Sequence, residues 1–105
     1  MSQFAVYKNK SVSTRKIYPY LIDIQSDLLS DMRTTVVIPL CKSSQMNNPV
    51  ISRLCPIVEI DDEKYIAFTP QLAGIKRNNL GKEVAKLSEY RSDFIAAIDL
   101  IISGI

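Results

Sequence analysis

The sequence predicts an α+β fold, mostly β: a small, strongly bent antiparallel sheet or partial barrel followed by one long C-terminal helix. Three observations carry that prediction. Short apolar stretches recur as far as residue 75, each bounded by proline, asparagine or charged turn residues, which is strand punctuation. They stand too close together for helical crossovers between parallel strands, so the pairing is mostly antiparallel. From residue 83 the period changes, and Val84, Leu87, Phe94, Ile95, Ile98, Ile101, Ile102 and Ile105 fall on one stripe of a helix.

The elements follow in order. Phe4-Ala5-Val6-Tyr7 is a short strand, and residues 8–16 are a basic, serine-rich loop. Residues 17–24 return as a strand, with Pro19 setting a bulge or an edge near its start. Val36-Val37-Ile38-Pro39-Leu40 is continuously apolar, as a strand buried on both faces is. Residues 42–53 are polar and contain Asn-Asn-Pro, a long loop. Residues 54–60 form a strand interrupted by Pro56, Asp61-Asp62 turns the chain, and residues 63–69 run back. A further short strand fits residues 70–75. Arg77-Asn78-Asn79-Leu80-Gly81 reads as a turn that opens the helix at 83–105, with Asn78 or Asn79 as its cap.

Composition bounds what this chain does. Its 105 residues fit one domain spanning 1–105, with 47% hydrophobic and 23% charged residues. A chain of this size buries roughly two-thirds of its unfolded surface, enough for one core. The net charge of +2 is too small to indicate nucleic acid or membrane binding. No apolar run approaches the ~18 residues of a membrane span. The N-terminus lacks the order of a signal peptide, and the expected compartment is the cytoplasm. Cys41 and Cys55 match no redox or zinc spacing and read as inert thiols in apolar surroundings. There is no histidine, which removes the commonest general base and metal ligand. No cofactor and no metal are expected.

Several clusters invite a functional reading. Asp23, Gln25, Ser26 and Asp27 gather at a strand end; paired carboxylates serve acid–base chemistry, but turn chemistry favours the same residues and is the stronger account. Leu28-Leu29 follows at once, one leucine fit to plug the core and the other to stand exposed as a partner anchor. Asp61-Asp62-Glu63 fits a solvated hairpin turn better than a metal site. Lys8, Lys10, Arg15 and Lys16 make a basic loop, either merely solvated or facing an acidic protein. On the helix, Glu89, Ser92 and Asp93 make a solvated face. Beyond them Ala96, Leu100 and Ser103, flanked by Ala97 and Gly104, turn that side small and apolar. Such an end docks on the chain's own core, on a second copy or on a partner; the prevalence of twofold dimers favours a second copy.

Taken in order, Ile22-Asp23-Ile24-Gln25-Ser26-Asp27-Leu28-Leu29, Val37-Ile38-Pro39-Leu40, Cys55-Pro56-Ile57-Val58, Glu83-Val84-Ala85-Lys86-Leu87-Ser88, Ala97-Ile98-Asp99-Leu100 and Gly104-Ile105 resemble the CcdB family over nearly the whole chain. These are the toxins of the ccd toxin–antitoxin modules. The resemblance implies an SH3-like sheet with a C-terminal helix, and a homodimer formed partly through that helix, here at Ala97, Leu100, Ile101 and Gly104. It implies a binding protein and not an enzyme. Family toxins bind the A subunit of DNA gyrase in its dimeric cavity and trap the cleaved-DNA complex. The corresponding contact positions are Ser26, Leu28, Leu29, Asp99, Ile102, Ser103, Gly104 and Ile105. An unstructured CcdA-like antitoxin tail displaces gyrase, with contacts at Lys8, Asn9, Lys10, Ser11, Val12, Ser13, Thr14 and Arg15. Operator DNA is reached only indirectly, through the antitoxin complex in autoregulation.

This chain departs from the best-known members in ending Ser103-Gly104-Ile105 where they end Trp-Gly-Ile, and it has no tryptophan. Arg91 stands where they carry an acidic residue and Ile95 where they carry a basic one. Two other functions fit the same fold. One is a non-toxic homologue kept for antitoxin binding and operon repression. The other is an endoribonuclease toxin resembling MazF and Kid, which without histidine would have to use Arg33 or Arg53 with Asp23 or Asp27.

Overall fold

The computed structural model describes residues 3–29, 31–43 and 54–104. Seven strands, all antiparallel to their neighbours, make one sheet: β1 (Ala5–Asn9), β2 (Tyr20–Asp23), β3 (Thr34–Lys42), β4 (Ile57–Ile60), β5 (Glu63–Ala67), β6 (Ala73–Lys76) and β7 (Leu80–Lys86). The order across the sheet is β4-β5-β3-β2-β1-β7, with β6 paired to β3. One helix, α1 (Arg91–Ser103), follows. The sheet curls into a half-barrel, as the strand spacing predicts.

The long strand β3 organises this curl. Its first half pairs with β6, from Thr34↔Lys76 to Val37↔Ala73, and its end pairs with β5, from Leu40↔Ala67 to Lys42↔Tyr65. Pro39 sits where the partner changes. Its carbonyl accepts from Phe68 N at 2.9 Å, so its missing N–H falls on the same side, at the break between the two ladders. On its other edge β3 pairs with β2 throughout, from Tyr20↔Leu40 to Asp23↔Val37.

Alternation along the strands then fills two faces. Phe4, Val6, Ile22, Ile38, Leu40, Val58 and Ile60 pack on the helix side with Leu87 and Phe94. Ala5, Tyr7, Leu21, Val37 and Leu80 pack on the other. The β4–β5 hairpin closes through Asp61 (φ 51°) and Asp62 (φ 65°), two left-handed residues as a type I′ turn requires. The expected solvated acidic turn is therefore in place.

The predicted start of the helix is corrected. Residues 83–86 belong to β7, which runs along β1, and Leu87 N donates to Phe4 O at 2.8 Å. Val84 and Leu87 are spaced like a helical stripe, but β1 would otherwise leave an edge of unpaired backbone beside a buried core. Gly81 permits the close pairing: a Cβ there would lie 2.8 Å from the Lys8 carbonyl oxygen. Neither Asn78 nor Asn79 caps the helix; both lie in a 3₁₀ turn before β7, and α1 begins after a second 3₁₀ turn, Ser88–Tyr90, without a side-chain cap. The helix ends at Gly104, left-handed at φ 75°, whose N–H donates to Leu100 O at 2.9 Å.

Phe4 joins the first and last elements. It is fully packed yet held at φ 68°, a strained conformation for a bulky residue. Its N–H donates to Asp23 O at 2.6 Å, and its ring stacks on Phe94 at 5.8 Å. Arg91 lies over the same ring and also donates to Gln3 Oε1 at 3.1 Å. None of the described helices is long and apolar enough to cross a membrane.

Candidate functional site: an apolar loop, a helix end and a roofed groove

The turn between β2 and β3 carries the first group of expected contacts. Asp27–Leu29 forms a 3₁₀ turn in which Leu28 N donates to Ser26 Oγ at 3.2 Å and Leu29 N to Ser26 O at 2.9 Å. This geometry turns both leucines outward. Leu28 is 94% exposed and Leu29 46%, so neither plugs the core, contrary to the expectation for one of them. Met32, which the sequence reading did not single out, is 48% exposed on the same segment.

Beneath this apolar edge lies a polar network. Asp23 is buried and accepts from Thr35 Oγ1 at 2.8 Å and from Gln25 N at 3.0 Å. Its other oxygen pairs with Arg77 at 3.4 Å. The Arg77 guanidinium also donates to Met32 O at 2.6 Å and to Leu29 O at 3.2 Å. Gln3 N donates to Asp27 Oδ1 at 2.6 Å, so the chain start braces the same turn. Asp23 and Asp27 are thus engaged in holding structure together, and the turn reading of this cluster is the right one.

The helix places the second group. Ala97 is fully buried in its own chain, so this residue of the expected dimer contact faces inward. Leu100 and Ile101 are half-buried and Gly104 exposed. Asp99, Ser103 and Ile102 are exposed, Ile102 at 76%, with Ser103 Oγ bonded back to Asp99 O at 2.6 Å. Ile105 lies outside the described residues. What links the helix to the β2–β3 loop is at the helix start, where Arg91 reaches Gln3.

The third group forms a roof. Between β1 and β2, residues 10–17 are exposed, and one buried side chain holds them. Asn9 Nδ2 donates to Tyr18 O at 2.8 Å and to Thr14 Oγ1 at 3.0 Å, while its Oδ1 accepts from Ser11 N at 3.0 Å. Lys10 Nζ reaches Asn78 O at 2.9 Å. The loop overhangs a cavity of about 620 Å³ on the sheet face away from the helix, floored by Leu21, Val37, Pro39, Ala73 and Ile75 and rimmed by Lys10, Ser11, Thr14, Gln71 and Asn79. Lys10, Ser11, Val12, Ser13, Thr14 and Arg15 are exposed along this loop as expected; Lys8, expected in the loop, is an exposed residue of β1, and Asn9 at the end of β1 is the loop's internal peg. The groove floor was not foreseen: its residues show in sequence only as the second phase of strand alternation.

Cys41 and Cys55 are both buried beside Ile66, with Tyr18 and Phe68 stacked at 6.4 Å next to them. Burial pushes both thiols and the Tyr18 hydroxyl above their ordinary values. Tyr65, which donates to Glu63 Oε2 at 2.8 Å, is pushed up too, first by burial and then by that bond. Raised thiols are poor nucleophiles. Among the described residues no three His, Cys, Asp or Glu side chains converge to hold a metal ion.

Among solved structures, one described as an endoribonuclease in complex with its cognate antitoxin from Mycobacterial species superimposes with a TM-score of 0.75, covering 98% of this chain and 95% of that one at 9% identity. At that identity the likeness concerns the fold. The sequence itself matches the family described as CcdB protein over residues 3–104. With nearly the whole length matched, the chain belongs to the CcdB family of toxin–antitoxin toxins.

Proposed function

We propose that this toxin acts as a homodimer on the A subunit of DNA gyrase and traps the cleaved-DNA complex, without being an enzyme itself. The observation that carries this is the Leu28, Leu29 and Met32 edge. Large apolar side chains held outward in one geometry are the anchors of a protein interface, and this edge sits at the family's contact position. Asp99, Ile102, Ser103, Gly104 and Ile105 supply the second part of the contact. A ligand shifts an equilibrium only by binding one state better than the other, so the toxin's contacts must be better satisfied on open, cleaved gyrase than on the closed enzyme. Ile95, where the best-known members carry a basic residue, and Ile102 offer exposed apolar helix surface that takes over from the missing indole. Leu100, Ile101 and Gly104 carry the dimer contact.

The antitoxin tail occupies the groove under residues 10–17. An apolar floor under a basic, serine-lined roof suits an extended acidic segment that drops apolar side chains into the floor. The complex with a cognate antitoxin described for the structural neighbour supports a partner of this kind. That neighbour's ribonuclease activity is not carried over at 9% identity, and the two carboxylates it would need are engaged, Asp23 with Arg77 and Asp27 with the Gln3 backbone N–H.

The test is a cleavage assay with gyrase, ATP and supercoiled plasmid. Linear DNA that appears on denaturation only when this protein is present supports the proposal. Absence of cleavage, with a control poison active on the same enzyme, points to the non-toxic homologue; degradation of RNA by the purified protein would point to the ribonuclease reading.

A further inference from the structure

The three exposed apolar side chains of the β2–β3 loop rest on one guanidinium that comes from far along the chain. We infer that Arg77 is the positioning residue of this loop: with Asp23 as its buried anchor, it fixes the Leu29 and Met32 carbonyls so that Leu28, Leu29 and Met32 meet the partner in a single arrangement. The inference rests on the reading of this loop as the gyrase contact, and adds a residue that lies outside the contact.

The loop has little to hold it by itself. Among its described residues the regular piece is the three-residue turn Asp27–Leu29, far too short to persist alone. None of the described residues in 26–29 and 31–33 belongs to a core cluster. The loop therefore depends on bonds from outside. Gln3 N supplies one, to Asp27 Oδ1 at 2.6 Å; Arg77 holds the carbonyl side of the loop, donating from Nε to Met32 O at 2.6 Å and from a terminal nitrogen to Leu29 O at 3.2 Å, while its backbone N–H donates to Arg33 O at 2.8 Å. Its third direction is taken by Asp23 at 3.4 Å. Asp23 cannot swing away, because Thr35 and the Gln25 backbone hold its other oxygen. A planar fork with several fixed donors does this; an ammonium, a compact point charge, cannot address two carbonyls and a carboxylate in these directions at once. Ordering an interface loop before contact removes a cost that binding otherwise carries, so loss of the brace shows as weaker binding.

The test is the affinity of the purified dimer for the purified gyrase A subunit, by titration calorimetry, for wild type, Leu28→Asp, Arg77→Met, Arg77→Lys and the combination Leu28→Asp with Arg77→Met. Circular dichroism reports folding for each. We expect Arg77→Met to fold and to bind about tenfold more weakly, Arg77→Lys to recover less than half of that loss, and the combination to bind no worse than Leu28→Asp alone. Non-additivity is the mark of a residue acting through the loop, since a general loss of stability adds to any other change. Normal binding by folded Arg77→Met, or additive losses, overturns the inference while Leu28→Asp still upholds the contact reading. Normal binding by Leu28→Asp, or no binding by wild type, overturns the contact reading and the inference with it. If Arg77→Met does not fold, Asp23→Asn combined with Arg77→Met removes both charges, keeps the acceptor for Thr35 and Gln25, and takes its place. If that also fails to fold, Arg77 is a folding residue and the inference is wrong.

Discussion

The two loops that flank β2 each have a side chain that makes several of their holding bonds, and the two side chains differ in kind. The β1–β2 loop is polar, and its peg is a neutral amide, Asn9, whose three bonds stay within residues 9–18. The β2–β3 loop is apolar at its tip, and its brace is an ion pair, Asp23 with Arg77, that reaches across 54 positions of sequence. A neutral peg exchanges its bonds for water at small net cost, so the loop it holds can yield. A buried ion pair cannot lose one partner without stranding a charge, so the loop it holds keeps its shape. The molecule thus carries one polar loop over a groove and one braced apolar edge.

Mutations can break this contrast. Asp23→Ala should have the largest effect, a loss of about 3–5 kcal/mol because it removes the buried carboxylate that faces Arg77 and accepts from Thr35 Oγ1 and Gln25 N, read by denaturant unfolding. Asn9→Ala should cost less, about 1–3 kcal/mol, and should increase hydrogen exchange within residues 10–18 while leaving the β2–β3 loop protected. A comparable loss from both would erase the distinction between amide and ion pair. Leu28→Asp sharpens it from the other side. At a fully solvated tip it should change stability by no more than about 0.5 kcal/mol yet weaken gyrase binding measurably, read by the same calorimetry.

The smallest effect concerns pH. Cys41, Cys55, Tyr18 and Tyr65 have folded values raised above ordinary thiol and phenol values of 9.0 and 10.0. The unfolded chain therefore loses these protons first as the solution becomes alkaline, and binds fewer of them than the native state. Their contribution is complete below pH 9.0 and falls away as pH rises past the unfolded values. The melting temperature should decline above that point, and Cys41→Ala with Cys55→Ala should flatten the decline. The two thiols should react with a thiol reagent only on unfolding.

Much of the fold was legible because strands announce themselves by short apolar runs between turn residues. The 57–67 hairpin was read correctly from Asp61-Asp62, and β3 from an uninterrupted apolar run. The first part of the predicted helix differs because Val84 lies in β7 and Leu87 just past its end, and both meet the same core at a spacing of three that matches a helical stripe. What decides for the strand is β1, nearly eighty residues earlier. The site shows the same division. Leu28 and Leu29 stood out because two leucines after a polar turn are anomalous, and the basic loop stood out by charge. Arg77, Met32 and the groove floor gave no local signal; they acquire meaning from partners distant in sequence, and Ala97 looked like an interface residue because a small residue suits a second copy and a nearby sheet equally well.

The stacked rings of Phe4 and Phe94 have a consequence in time. The strained start of β1 is closed by Leu87, Phe94 and an Arg91 that meets Gln3 from 88 positions away. Such distant closures are made late and slowly. A chain emerging from the ribosome at about 5–20 residues per second spends most of its synthesis with its first strand lacking a neighbour on one side and its first ring uncovered. Through that interval the surfaces that need the completed fold do not exist.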